Sequence, residues 1–319
     1  MSDKSTSLNK TVILPYQKPI FDRLCRIARA CLCVNRKDIQ SLKLRTNFLL
    51  IGPSGTGKTF LARALAEEEM KVPYLSVSIS DWLLIGNSNR GGTCTWSLIF
   101  EFLEKNINAQ GVIIFIDEAD KASHDTNYNS FLKTEVFSVC DYRVPLGLSD
   151  TDNDVIDPQR IERVEEFLKY KTMVIAGAAF QDIWENQSAP QMGFAPSDNS
   201  INAPELCDLT KYLPRELINR FSSEIFILPQ PTKADYQLMI ETMSAGIPEI
   251  WRAKFLELGI ARLDQALSNQ KGARYPEEIL LSAIVAVRGC MSEFVTQDDL
   301  IPQEPPIEQD DSQINISIF

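Results

Sequence analysis

The chain has little of what a metal centre needs. It carries one histidine, His124, and seven cysteines in 319 residues. Cys31 and Cys33 are the only close pair, and no second pair stands at zinc-site spacing. Cys25, Cys31 and Cys33 fall in a helix-like stretch and read as small buried apolar residues. A reduced, cytoplasmic compartment fits. His124 lies in a polar run and reads as solvated. Long apolar runs are also missing: Val112 to Ile116 is far too short to span a bilayer. Met1 to Lys10 is polar and has no apolar signal core, so no membrane association is expected. Basic excess is missing as well. The formal net charge is -11, and no Lys or Arg follows Arg288. Seven acidic residues lie beyond it, which leaves the body at -4. A body that is not basic argues against a nucleic-acid track and leaves a local basic pore open. There is no internal repeat and no hydrolase motif.

What is present is length enough for one large domain and a smaller one, with 44% hydrophobic residues to fill a core. Residues 48 to 59 are the most informative. Phe48-Leu-Leu-Ile51 is an apolar strand that runs into Gly52-Pro53-Ser54-Gly55-Thr56-Gly57-Lys58-Thr59, with Phe60 following. This is the Gly-x4-Gly-Lys-Thr phosphate-binding loop. The glycines permit turns that a Cβ would block, and the loop amides form an anion nest at a helix start. Lys58 is placed to reach the β- and γ-phosphates of ATP, and Thr59 to ligate Mg2+. Leu61, Ala64 and Leu65 recur at helical spacing behind the loop.

The rest of the chain alternates strands and helices. Ile20, Leu24, Ile27, Ala28 and Cys31 predict an amphipathic helix over 16–33. Strands are expected at 48–51, 72–78, 112–116, 173–176 and 225–228, and a polar loop over 85–95. Runs such as Val112 to Ile116 are typical of strands buried on both faces. The expected fold is a doubly wound parallel α/β sheet. Pro229 and Pro231 then break the chain, and helices are expected over 232–243, 248–268 and 276–291. Residues 296–313 are polar, acidic and proline-containing.

Val112-Ile-Ile-Phe-Ile-Asp117-Glu118 is an apolar strand ending in two carboxylates, the Walker B pattern. Asp117 would hold Mg2+ beside the phosphate loop, and Glu118 would orient the attacking water. With Ala119-Asp120-Lys121 following, the chain resembles the AAA+ ATPases. Leu213-Pro-Arg-Glu-Leu-Ile-Asn-Arg220-Phe resembles the arginine-finger segment of the Clp-type subgroup. Gly272-Ala-Arg274 resembles the sensor-2 motif of ClpX and HslU, and Ala176-Gly-Ala-Ala-Phe180-Gln181 their sensor-1 segment. The resemblance covers residues from about 16 to 292 and implies an α/β P-loop AAA+ module with a C-terminal all-α lid. It divides the chain into a disordered N-terminus (1–15), a large nucleotide-binding domain (16–230), a helical lid (231–295) and an acidic tail with an apolar end (296–319). It also implies a ring, a homo-hexamer, that hydrolyses ATP. Arg220 would act in trans on the neighbour's γ-phosphate, an effect worth about 10^3 to 10^5 in rate in related phosphoryl-transfer enzymes. Arg215 is its near competitor. Arg274 would contact phosphate from the lid. Gly177, Ala178 and Ala179 offer no side-chain hydrogen bond, so no residue stands out as sensor 1.

Two loops depart from or extend the pattern. Where ClpX has an aromatic pore loop, this chain has Gly86-Asn-Ser-Asn-Arg-Gly-Gly92. The flanking Trp82, Leu83, Leu84, Ile85 and Trp96 read as core. The long connection 181–212 carries Met192-Gly193-Phe194, similar to the tripeptide by which ClpX docks on its peptidase. It is either such a knob or a tack that holds the loop down. The C-terminus, Ile314-Asn-Ile-Ser-Ile-Phe319, alternates with period 2 and reads either as a partner-binding peptide or as a frayed end. Two functions follow. One is a ClpX-like remodeller of a protein partner, lacking ClpX's zinc-binding N-terminal domain. The other is an ATP-driven switch for a dedicated partner, with nucleic acid left open. A third, a scaffold with little turnover, is disfavoured by Glu118.

Overall fold

A computed structural model of the chain describes residues 12–34, 44–86, 94–123, 135–145, 156–181, 184, 209–210, 213, 215–221 and 224–291. Five strands form one parallel sheet: β1 (Asn47–Ile51), β2 (Tyr74–Ser78), β3 (Val112–Asp117), β4 (Thr172–Ala178) and β5 (Ile225–Ile227). Their order is β2-β3-β4-β1-β5. Parallel strands need crossovers, and helices supply them on both faces. The pleat sorts the side chains. Leu49, Ile51, Ile114, Ile116 and Val174 enter one core, whereas Phe48, Leu50, Ile113, Phe115 and Ile175 enter the other. Because both faces are covered, β1, β3 and β4 read as unbroken apolar runs, whereas β2 alternates.

Helix α1 (Lys18–Cys33) begins with a proline in its first turn and buries Phe21, Leu24, Cys25, Ala28, Cys31 and Leu32 at three- and four-residue spacing. With α2 (Lys58–Ala64) and its π-helical continuation Leu65–Met70, it covers the second face. Helices α3 (Ile79–Gly86), α4 (Cys94–Lys105) and α5 (Pro158–Lys171) follow along the chain, and a short α6 spans Arg215–Ile218. Trp96, Ile99, Phe100 and Leu103 of α4 and Val164, Phe167 and Leu168 of α5 enter the first core. The carboxyl ends of β1, β3 and β4 meet at one edge, where ligands bind in such sheets.

After β5 the chain is helical: α7 (Lys233–Ser244), α8 (Glu249–Ala261), α9 (Leu263–Ser268) and α10 (Tyr275–Met291). Thr232 and Asp235 form a reciprocal capping box at the start of α7. Tyr236, Met239, Ile240, Phe255, Tyr275 and Ile279 make a separate core.

Four expectations are corrected. Disorder through residue 15 does not hold for 12–15. Leu14 is 2% exposed and belongs to the helical core, and its N–H donates to the Gln17 amide oxygen at 3.1 Å. The helix expected over 248–268 is two helices, because the chain leaves helical geometry at Arg262 (φ -105°, ψ 13°). The loop expected over 85–95 is helical at both ends, with 87–93 outside the described residues. Cys33 is exposed, because it ends α1 beside Gln110. His124, Met192 to Phe194 and the tail beyond 291 also lie outside the described residues.

Candidate functional site

At the carboxyl edge of the sheet the chain leaves β1 and turns sharply. Gly52 N–H donates to Ala178 O at 3.2 Å, so the loop starts pinned to β4. Gly55 (φ 80°) and Gly57 (φ 92°) take left-handed backbone, which an L side chain adopts at a cost. Gly57 is the N-cap of α2, so the helix amides open onto the loop. The loop is gripped from outside: the buried Gln17 amide donates to Thr56 O at 2.8 Å, and the Tyr16 hydroxyl to the same oxygen at 2.9 Å. The Lys58 ammonium donates to Gly52 O (2.7 Å) and Pro53 O (3.1 Å). Burial pushes it down to about 8 and Arg274 pushes in the same direction, while Asp117 and Asp120 oppose.

The Thr59 hydroxyl donates to Asp117 Oδ2 at 2.7 Å. Two hard oxygen donors thus meet in one hydrogen bond, the donor chemistry of Mg2+. Among the described residues no cluster of three or more His, Cys, Asp or Glu could hold a metal ion alone. Glu118 has positive φ (57°), and its N–H donates to Asp117 Oδ1 at 2.9 Å. Its carboxylate accepts from Lys121 at 2.5 Å, from Ser78 at 2.9 Å and from Ser80. These bonds, Lys121's above all and then Ser80's, hold its carboxyl below the usual carboxylate range.

A cleft of about 680 Å³ contains these groups, within the ~300–1,000 Å³ usual for ligand sites. Ser54, Gly55, Gly57, Lys58, Thr59, Phe60, Asp117, Glu118 and Arg274 all line it. Arg274 enters from the helical unit, on a turn whose Ala273 N–H donates to Gly55 O at 2.6 Å. The sequence did not point to Val12, Leu14, Gln17 and Met243, which also line it, and Lys121 of the run after Walker B lines it too. The run before α1 has no periodicity to mark it, and Met243 reads as an ordinary helix residue. Gly177 is small for a reason: a Cβ there would lie 2.6 Å from the Phe115 ring and 3.3 Å from Asp117 Oδ1. Gln181 lines the cleft too and donates to Gln270 at 3.3 Å.

Arg220 is not among the lining residues of this cleft. Its carbonyl accepts from Asn47, the first residue of β1, at 3.2 Å. The phosphate loop leaves the other end of that strand. Its guanidinium turns to Asp141 (3.0 Å), Glu216 O (2.8 Å) and the Phe137 ring (4.1 Å to its centroid). Trp82 and Trp96 are 2% and 0% exposed, and both indole N–H groups donate to Glu135, Trp82's to the carboxylate (2.5 Å) and Trp96's to the backbone carbonyl (3.0 Å). Both belong to the core and neither is free to grip a substrate.

Residues 48–139 match the ATPase family associated with various cellular activities (AAA). The ATP-dependent zinc metalloprotease FtsH of Photobacterium profundum is 41% identical over 80 residues, 24% of this chain and 10% of that protein. The ATP-dependent Clp protease ATP-binding subunit ClpX of Treponema denticola is 27% identical over 230 residues, 64% of this chain and 54% of that protein. The FtsH of Haemophilus influenzae is 41% identical over 80 residues, 24% of this chain and 11% of that protein. The chain thus spans about a tenth of the FtsH proteins and about half of ClpX. The five-stranded parallel sheet and the helical C-terminal part fit an α/β P-loop module of the AAA+ type around the matched residues 48–139, and that match supports ATP hydrolysis. No described helix is long and apolar enough to cross a membrane.

Proposed function

We propose that the chain is a ring-forming, ClpX-like AAA+ ATPase that spends ATP on reshaping a protein partner. The observation that carries this reading is the split between Arg220 and the cleft. Lys58, Thr59, Asp117, Glu118 and Arg274 share one cleft, whereas Arg220 belongs to the opposite end of β1. A site that needs a finger must then take it from a neighbour, as in a homo-hexamer.

Lys58 and the loop amides bind the phosphate oxygens. Thr59 and Asp117 would hold Mg2+, which when bound neutralises charge on the β- and γ-phosphates. Glu118, ionised and of lowered basicity, orients and polarises the attacking water. It does so after exchanging the bonds it receives from Ser80 and Lys121. Arg274 contacts phosphate from the lid, residues 231–295, and couples nucleotide state to the lid's angle. Met192-Gly-Phe194 or the C-terminal peptide would dock a separate peptidase.

A second reading is an ATP-driven switch for one dedicated partner, acting on protein or nucleic acid. The burial of Trp82 and Trp96 favours it, since neither of these flanking aromatics is free to grip a chain. The test is capture by Glu118→Gln protein held with ATP. Recovery of a peptidase, lost on deleting 192–194, supports the first reading. Recovery of a single non-peptidase partner or of DNA rejects it for the second.

A further inference from the structure

We infer that Asp141 and Phe137 are positioning residues for the Arg220 guanidinium, so that each subunit offers its neighbour a braced arginine rather than a mobile one. This rests on the reading of Arg220 as a finger in trans. Three supports converge on the side chain. Nε donates to Asp141 Oδ2 at 3.0 Å, Nη1 donates to Glu216 O at 2.8 Å, and the guanidinium carbon stands 4.1 Å from the centre of the Phe137 ring. An ion pair with its side chains 28% and 40% exposed belongs to the kind that adds little to stability. Stability is therefore a poor account of it. Order is a better one, because an arginine carries much rotamer entropy that must be lost before it can act.

The support is itself built in. Asp141 follows the helical segment 135–140 and precedes Tyr142, which has φ 60°. A non-glycine residue held there needs surroundings that fix it. Here the buried Tyr142 hydroxyl accepts from Thr46 N–H and meets the Thr46 hydroxyl, both at 2.9 Å. Asn47 Nδ2 bonds Cys140 O at 2.7 Å and Arg220 O at 3.2 Å. Two adjacent residues at the start of β1 thus fix the backbone on both sides of the Asp141–Arg220 pair. A carboxylate fixed in this way sets where the guanidinium stands.

The test is ATP turnover by mixed assemblies. Asp141→Ala and Asp141→Asn should each lower kcat at least tenfold and leave the ATP Kd within twofold, because their own clefts are intact. Mixing either with Lys58→Ala subunits, which keep a sound finger, should restore turnover. Mixing with Arg220→Ala should not, because both partners then lack one. Arg220→Ala with Asp141→Ala in one chain should be no slower than Arg220→Ala alone, and Phe137→Leu should show a smaller loss of kcat. Rescue by Arg220→Ala but not by Lys58→Ala, a wild-type kcat for Asp141→Asn, or additive loss in the double variant would each overturn the inference. Failure of the finger reading has a different signature: Arg220→Ala is itself at wild-type rate, or is not recovered by Lys58→Ala.

Discussion

Gly55 and Gly272 stand backbone to backbone. A Cβ built on Gly272 would lie 2.4 Å from Gly55 O, and its φ of 61° is one that L side chains rarely adopt. The phosphate loop and the turn carrying Arg274 are thus joined through main chain, by the Ala273 N–H on Gly55 O. Gly272→Ala meets a clash with backbone, which cannot step aside, and strain of about 1–3 kcal/mol. ATP affinity should fall at least tenfold, read by nucleotide titration. Gly246→Ala is the control, because a Cβ there meets nothing closer than 3.7 Å. Equal affinities for the two variants would reject this account.

Glu118→Gln keeps the shape of the side chain and removes its charge. Turnover should fall by about 10^2 to 10^4 while ATP binding is retained. Phosphate release and nucleotide titration on the same preparation separate the two. A wild-type rate would remove Glu118 from its proposed role.

Lys58 gives the free cleft a pH signature. Its ammonium is pushed down to about 8, first by burial. Anionic phosphate favours the protonated form. Below pH 7 that form is already present, and affinity is flat with respect to this group. Above about 8, binding must take up a proton, and affinity should fall up to tenfold per pH unit. Titrating ADP without divalent metal from pH 6.5 to 9.5 checks this; a flat profile would contradict it.

Trp96 is fully buried and bonded to Glu135. Trp96→Ala should cost about 3–5 kcal/mol in chemical unfolding. A residue that gripped substrate from an open pore would cost far less.

Much of the fold was legible in the sequence because β1, β3 and β4 are buried on both faces and appear as apolar runs, while β2 shows as an alternating, β-branched stretch. Walker residues were legible because glycine geometry and phosphate chemistry dictate residue types at fixed spacing. Other features left no local trace. Leu14 is buried by helices more than two hundred residues away in sequence, so nothing around it announces a core position. The break at Arg262 carries neither glycine nor proline. Asp141 looks like any surface carboxylate until folding brings Arg220, 79 residues later, against it.

Strand β1 has only five residues. At ~3.3 Å a step, its first and last residues stand about 13 Å apart. One end opens into the phosphate loop and the other holds the Arg220 carbonyl through Asn47. The strand is therefore a spacer of fixed length between the phosphate loop and the backbone that carries Arg220, the arginine proposed as a finger. Its length and register cannot drift independently of either. One inserted residue would lengthen it by a single step and turn every later side chain to the wrong core.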